Sequence, residues 1–196
     1  MNILGFDTCL GRLSVALLRD GEIIFHKEEP TLSRQAEVIM EFLEEALATG
    51  RLGYEDLSAI AVTNGPGSFT GVRIGLSVAK GISLVTGVPI FAASTLQVMA
   101  SKSTNLKKIT MIQDAGRGMV YSQSFLLEEG YPAPVAEPIL ISRNDMDAGS
   151  IEVSKVEAES LVRLAALRID LACPEEKILP LYIRAPDAKL PAKKCV

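Results

Sequence analysis

The sequence predicts a duplicated α/β fold. Three observations carry this. The first hundred residues read strand, strand, strand, helix, strand, helix, strand, helix. A second set of strands starting near Lys108 repeats the opening of that order and stops early. The composition, 48% apolar and 22% charged over 196 residues, is that of a globular chain. A chain of this length buries roughly 70% of its unfolded surface, enough for a substantial core.

Residues 2–6 form an apolar strand, and 12–18 a second in which Leu13, Val15 and Leu17 alternate. Asp20-Gly21 is a hairpin turn, and 22–27 returns as a third strand. Ser33 is the expected N-cap of a helix to Thr49, with Gly50 as its stop. Its stripe of Ala36, Ile39, Met40, Leu43, Ala46 and Leu47 is the expected core face. Val38 and Phe42 widen the apolar arc beyond what one sheet needs. Residues 57–63 are a buried strand, 69–86 a helix stopped by Gly87, 89–93 a strand, and Ser94 caps a short helix to Ala100. A linker over 101–106 separates a first unit, 1–101, from a second, 107–196. In the second, strands are expected at 108–113, 119–127 and 138–142, with a Gly- and Pro-rich patch between the last two and a helix over 156–171.

The densest local feature is Gly65-Pro66-Gly67-Ser68-Phe69-Thr70-Gly71-Val72-Arg73, between a strand and a helix. Such a turn presents free N–H groups and the positive end of a helix dipole, which suits an anion. The other reading, and the more common one for such a pattern, is a tight turn that needs glycine. It matches neither a Walker A loop nor a dinucleotide fingerprint. In the helix that follows, Gly71, Gly75, Ala79 and Ser83 recur every four residues. Each glycine costs a helix about 1 kcal/mol, so close backbone packing is expected there. Ile74, Val78, Ile82 and Val85 flank that stripe. Arg73, Ser77 and Lys80 form a narrow polar strip with Leu76 and Leu84 beside it. The surplus apolar surface of both helices reads either as a shared face for a partner or as a position sandwiched between sheet and neighbouring helix.

Several function classes drop out. One histidine, His26, in a strand, cannot build an HxxxH or HExxH metal site. Three scattered cysteines, Cys9, Cys173 and Cys195, form no disulfide framework, which points to a reducing compartment. The N-terminus has no signal-peptide pattern and no stretch is apolar enough to span a bilayer, so a cytoplasmic chain with no membrane role is expected. A net charge of −4 lacks the electrostatic footprint of a protein that grips nucleic acid alone.

Ile3-Leu4-Gly5-Phe6-Asp7-Thr8, Ala59-Ile60-Ala61-Val62, the run from Gly65 to Gly75, and Ala79-Lys80-Gly81 together resemble the TsaB (YeaZ) family. Asp114-Ala115-Gly116-Arg117-Gly118-Met119-Val120-Tyr121 is similar to that family's DAR-x-GEVY segment, and Pro180-Leu181-Tyr182-Ile183-Arg184 to its P-x-Y-x-R tail. The resemblance implies an actin/Hsp70-like (ASKHA) fold of two RNase-H-like βββαβα halves, the second abbreviated. It implies a non-catalytic partner of TsaD and TsaE in making threonylcarbamoyladenosine in tRNA, a homodimer when isolated, touching tRNA only through the complex. No intrinsic cofactor is expected, only a weak ATP or ADP contact at the subunit junction through Asp7, Thr8, Gly65, Gly67, Ser68 and Thr70. The expected partner surface is Val38, Phe42, Arg73, Leu76, Ser77, Lys80 and Leu84. The other readings are a weak ASKHA nucleotide hydrolase or M22-like peptidase relative, and a stand-alone homodimeric binding protein. The chain departs from the family's pattern at Gln35-Ala36-Glu37, where relatives have His-Ser-Glu, and at Gly116, where relatives often have Arg. It is also short between residues 130 and 177, with no second glycine-rich phosphate loop.

Overall fold

The computed structural model describes residues 1–30, 34–103 and 106–184. The first sheet has the order β3-β2-β1-β4-β5, from β1 (Asn2–Asp7), β2 (Leu13–Arg19), β3 (Glu22–Glu29), β4 (Ala59–Thr63) and β5 (Ile90–Ala93). β1, β2 and β3 form an antiparallel meander, and β4 and β5 add in parallel on the other side of β1. The hairpin between β2 and β3 turns at Asp20 and Gly21, both with positive φ, as the Asp-Gly pair predicts.

The second sheet also has five strands and repeats this plan in part. β6 (Lys108–Gly116) pairs antiparallel with β7 (Met119–Glu128), β7 pairs antiparallel with both β8 (Tyr131–Pro134) and β9 (Ile139–Ser142), and β10 (Ile151–Glu152) runs parallel to β6. The Gly- and Pro-rich patch thus contains an edge strand, β8, which sequence patterning misses. An edge strand tolerates Pro132 and Pro134 because their missing N–H groups leave no inner ladder bond unmade. Where the first unit has a long helix before its parallel strand, the second has one 3₁₀ turn at Arg143–Asp145.

Among the described residues four α-helices complete the fold: α1 (Gln35–Gly50), α2 (Phe69–Thr86), α3 (Thr95–Ala100) and α4 (Ala158–Leu167). α1 and α2 cover the outer face of the first sheet, around Leu4, Phe6, Leu43, Ile60 and Val62. α3 and α4 fill the space between the sheets with Leu96, Val98, Leu161, Val162 and Ala165. α4 follows the second sheet in sequence yet packs on β1, β2 and β4 of the first. Its Ala158 N–H donates to Ser14 Oγ at 2.9 Å. The helix expected over 156–171 is shorter than its pattern, because a separate 3₁₀ turn takes Ile169–Leu171.

The start of α1 corrects one expectation and leaves another untouched. Ser33 lies outside the described residues, and Arg34 holds the N-cap position without a side-chain bond. Gly50 does not stop the helix; Arg51 does, with φ of 52°. Gly50 instead packs closely on Leu17 and Leu52, and a Cβ there would come 2.9 Å from Leu17 Cδ2, so those side chains would have to shift.

Candidate functional site

Two surfaces concern the residues singled out above: a cleft between the sheets and a groove between α1 and α2. The cleft, of about 400 Å³, lies where the β1–β2 loop (Cys9, Leu10, Gly11) faces the end of β6 (Gln113, Asp114, Ala115), with Gly67, Ser68 and Tyr121 on its walls. Gly67 belongs there by fit: a Cβ on it would sit 2.4 Å from the Cys9 carbonyl oxygen. Ser68 caps α2, its Oγ accepting from the Gly71 N–H at 3.3 Å.

Of the expected nucleotide contacts, only Gly67 and Ser68 line this cleft. Asp7 and Thr8 are fully buried beneath it. Thr8 Oγ1 donates to the Gly71 carbonyl at 2.6 Å, which locks β1 to α2. Gly65 is buried in the turn, and Thr70 faces the other groove. The physical reason is the approach of α2 to the end of β1: glycines at 71 and 75 let the helix sit on Thr8, so the strand end is roofed over. Among the described residues the cleft wall carries the Asp114 carboxylate, and Arg184 reaches the wall from the tail, donating to the Ala115 carbonyl.

Asp7 is an isolated buried acid. Its Oδ1 accepts from Thr63 Oγ1 at 2.5 Å and from the Cys9 N–H at 3.2 Å, while Oδ2 has no partner. Burial pushes its pKa up to about 6, against the lowering effect of these bonds. Burial, then the neighbouring Asp7 charge, also raises the Cys9 thiol. An acid whose folded pKa exceeds its unfolded value, near 3.9, holds its proton more tightly when folded. Stability therefore falls as pH rises from about 4 to about 6 and stays lowered above that. Asp7→Asn keeps an acceptor for Thr63 and Cys9 and removes the charge. We expect it to raise stability at pH 8 by up to about 3 kcal/mol and to have little effect near pH 4. Denaturant melts at the two pH values check this; an equal change at both would mean that Asp7 is not the titrating group.

The second surface is an apolar groove of about 500 Å³ between α1 and α2, lined by Ala36, Ile39, Met40, Phe69, Thr70, Arg73, Ile74, Ser77 and Val78. Here the expected partner residues divide. Arg73 and Ser77 lie on it. Leu84 is exposed but outside it, and Lys80 is half-buried. Val38, Phe42 and Leu76 are each only 5% exposed and belong to the core. The reason is the facing angle of α1. β3 extends beneath the helix, and Lys27 from β3 places its ammonium 4.1 Å over the Phe42 ring and pairs with Glu45. Val38 and Phe42 therefore turn inward, and Ala36 and Met40, expected inside, turn out. Gln35 fixes this orientation, its Nε2 donating to the carbonyls of Arg12 at 2.6 Å and Thr8 at 3.3 Å.

The tail motif is a strap at one end of this groove. The Leu181 N–H donates to the Asn64 carbonyl at 2.8 Å, and Arg184 to the Ala115 carbonyl at 3.1 Å. Tyr182 stacks on Phe69 at 5.6 Å and accepts from Arg73 Nε at 3.1 Å, while the Arg73 guanidinium lies 3.7 Å over the Phe69 ring. Sequence spacing gave no sign of this link, because Arg73 and Tyr182 stand 109 residues apart. His26 is a half-exposed strand residue beside Glu28 and, on α4, Glu159. Among the described residues no three His, Cys, Asp or Glu side chains are placed to share a metal ion, and no helix is long and apolar enough to cross a membrane.

Two mixed sheets of one plan, facing each other across a helical layer with a cleft at their strand ends, define an actin/Hsp70-like (ASKHA) protein of RNase-H-like halves. YeaZ from Pseudomonas aeruginosa shares this fold, with a TM-score of 0.82 at 23% identity over 92% of this chain and 99% of that one. A family model described as TsaD, tRNA N6-adenosine threonylcarbamoyltransferase, matches residues 29–142, more than half of the chain. The tRNA threonylcarbamoyladenosine biosynthesis protein TsaB of Escherichia coli (strain K12) is 34% identical over 132 residues, 66% of this chain and 57% of that protein. TsaB of Bacillus subtilis (strain 168) is 33% identical over 156 residues, 79% of this chain and 66% of that protein. The chain belongs to the TsaB (YeaZ) family of tRNA threonylcarbamoyladenosine biosynthesis proteins. It spans 57% of the length of the Escherichia coli relative.

Proposed function

We propose that this chain is a non-catalytic subunit that pairs with TsaD, together with TsaE, in making threonylcarbamoyladenosine in tRNA. The observation that carries this reading is the groove between α1 and α2. It is an apolar seam of exposed Met40 and half-buried Ile74 and Val78 between two neighbouring helices, rimmed by Arg73 and Ser77. Family membership says which partner to try first. A paralogue of the same fold offers matching helices, and four helices pack around a shared apolar seam. When the chain is alone, a two-fold homodimer uses the same seam on both copies.

The cleft supports a supporting rather than a chemical role. Any ATP or ADP contact at the subunit junction falls to Gly67 and Ser68 of its wall together with a residue of the partner. The negative net charge assigns tRNA binding to the complex as a whole.

Reconstitution tests this. TsaD and TsaE with tRNA, ATP, an activated threonylcarbamoyl donor and this chain should yield threonylcarbamoyladenosine, and omission of this chain should reduce the product to background. Equal product without the chain would overturn the reading, and so would nucleotide or peptide hydrolysis by the purified chain alone.

A further inference from the structure

The groove between α1 and α2 continues onto the tail. Phe69 opens α2, lines the groove and is 55% exposed. Tyr182, stacked on it, is 48% exposed. The tail is pinned just before this point, since the Leu181 N–H donates to the Asn64 carbonyl and Asn64 Nδ2 donates to the Leu179 carbonyl at 3.2 Å. Two exposed aromatic rings and Arg73 thus extend the apolar seam of Ile74 and Val78. Aromatic residues and arginine are the types that carry most of the energy where interfaces form.

Arg73 is the unusual member. Arg12, Arg34, Arg143 and Arg168 each meet a carboxylate of this chain. Arg73 meets none among the described residues. Its Nε donates to Tyr182 Oη and its guanidinium rests on the Phe69 ring, so two neutral groups hold it in place. Its two terminal nitrogens remain, at an exposed residue. A guanidinium held this way has already lost most of its side-chain freedom. Its end-on pair of N–H donors matches the two oxygens of one carboxylate.

The groove decides what carries that carboxylate. Among the described residues of its lining, Arg73 is the charged one, and the rest is mostly apolar. On α1, Glu37 and Glu41 stand exposed beside the lining residues Ala36 and Met40. Those acids repel a polyanion such as a nucleic-acid backbone. An apolar helix with a single acid at one end of its stripe suits both features. We propose that Phe69, Arg73 and Tyr182 form the specificity end of the pairing groove, and that its occupant is a helix of the partner subunit offering one Asp or Glu to the free edge of Arg73. This rests on the reading of the groove as the pairing surface, and adds that the tail takes part in recognition.

The probe is TsaD, titrated calorimetrically into the full chain at about 50 and about 300 mM NaCl. Arg73→Gln should raise Kd about tenfold at low salt and respond less to salt than the parent, because the lost pair is the screened one. Arg73→Lys keeps the charge without the fork and should stay at least about threefold weaker than the parent. Tyr182→Phe keeps the ring and removes the acceptor that orients Arg73, so about a threefold loss is expected with circular dichroism and melting unchanged. Parent-like affinity of Arg73→Gln beside a broken Met40→Glu overturns the carboxylate contact and leaves the groove reading standing. Parent-like affinity of both overturns the two together. An unchanged salt response in Arg73→Gln assigns its loss to the released aromatic stack and overturns the contact. Parent-like affinity of Arg73→Lys overturns the fork, and of Tyr182→Phe the part played by the tail. Binding of tRNA by the chain alone that Arg73→Gln removes gives the fork to phosphate and overturns the carboxylate.

Discussion

Gly71→Ala is expected to lower folding stability by roughly 3 kcal/mol or more, although alanine is the better helix former by about 1 kcal/mol. A Cβ on Gly71 would lie 2.0 Å from the Thr8 carbonyl oxygen and 3.1 Å from its carbon. Both obstacles are backbone, within a fully buried residue that also donates its hydroxyl to the Gly71 carbonyl. Relief therefore requires α2 to move away from β1. That loosens Val72, Leu76 and Ala79 from the core they share with Leu4 and Val62. Gly81 lies in the same helix and is the control. Its Cβ would meet nothing within 4 Å, so Gly81→Ala should stabilise the chain by about 0.5–1 kcal/mol. Urea denaturation of the two variants reads opposite signs. Two stabilised variants would mean that α2 does not need its close contact with β1.

That contact also explains what was legible in the sequence. The recurrence of Gly71, Gly75, Ala79 and Ser83 marks a close-packed stripe, and all four are buried. Helix α2 runs from Phe69 to Thr86 as expected, since Ser68 supplies a side-chain cap and Gly87 the left-handed stop. Such signals act within a few residues, so local pattern finds them. The facing angle of α1 is different. Nine apolar residues spread around roughly half of its circumference or more, and no local rule says which edge meets the sheet. The choice is made by β3 and Lys27 beneath Phe42, and by Gln35 on the Arg12 carbonyl, all distant in sequence. The site residues fail for the same cause. Asp7 and Thr8 look like the mouth of a phosphate site until α2 covers them, and Tyr182 and Arg184 show a role only when the strap lies against Phe69 and Ala115. The placement of α4 on the first sheet depends on contacts such as Val162 against Gly5, which span most of the chain.

Charge placed in the groove should abolish pairing without harming the fold. Met40 is 41% exposed, so Met40→Glu meets solvent in the free chain and costs little there, whereas Val78 is half-buried against the core and Val78→Glu costs more stability. In a complex the same carboxylate is buried without a partner, at the centre of the seam rather than at its rim. A loss on the order of 3 kcal/mol, about a hundredfold in affinity, is expected. Arg73→Ala should act more weakly on contact area, yet it also releases Phe69 and Tyr182 from their stack, so its effect should be intermediate. Phe42→Glu and Leu76→Glu test something else: both side chains are 5% exposed and packed in the core, so those variants should unfold. Association with TsaD, measured by calorimetry on variants whose circular dichroism and melting match the parent, separates the cases. Unchanged affinity in both Met40→Glu and Val78→Glu would place the interface on another face, and the exposed Leu84 and Val85 at the end of α2 would be the next surface to charge.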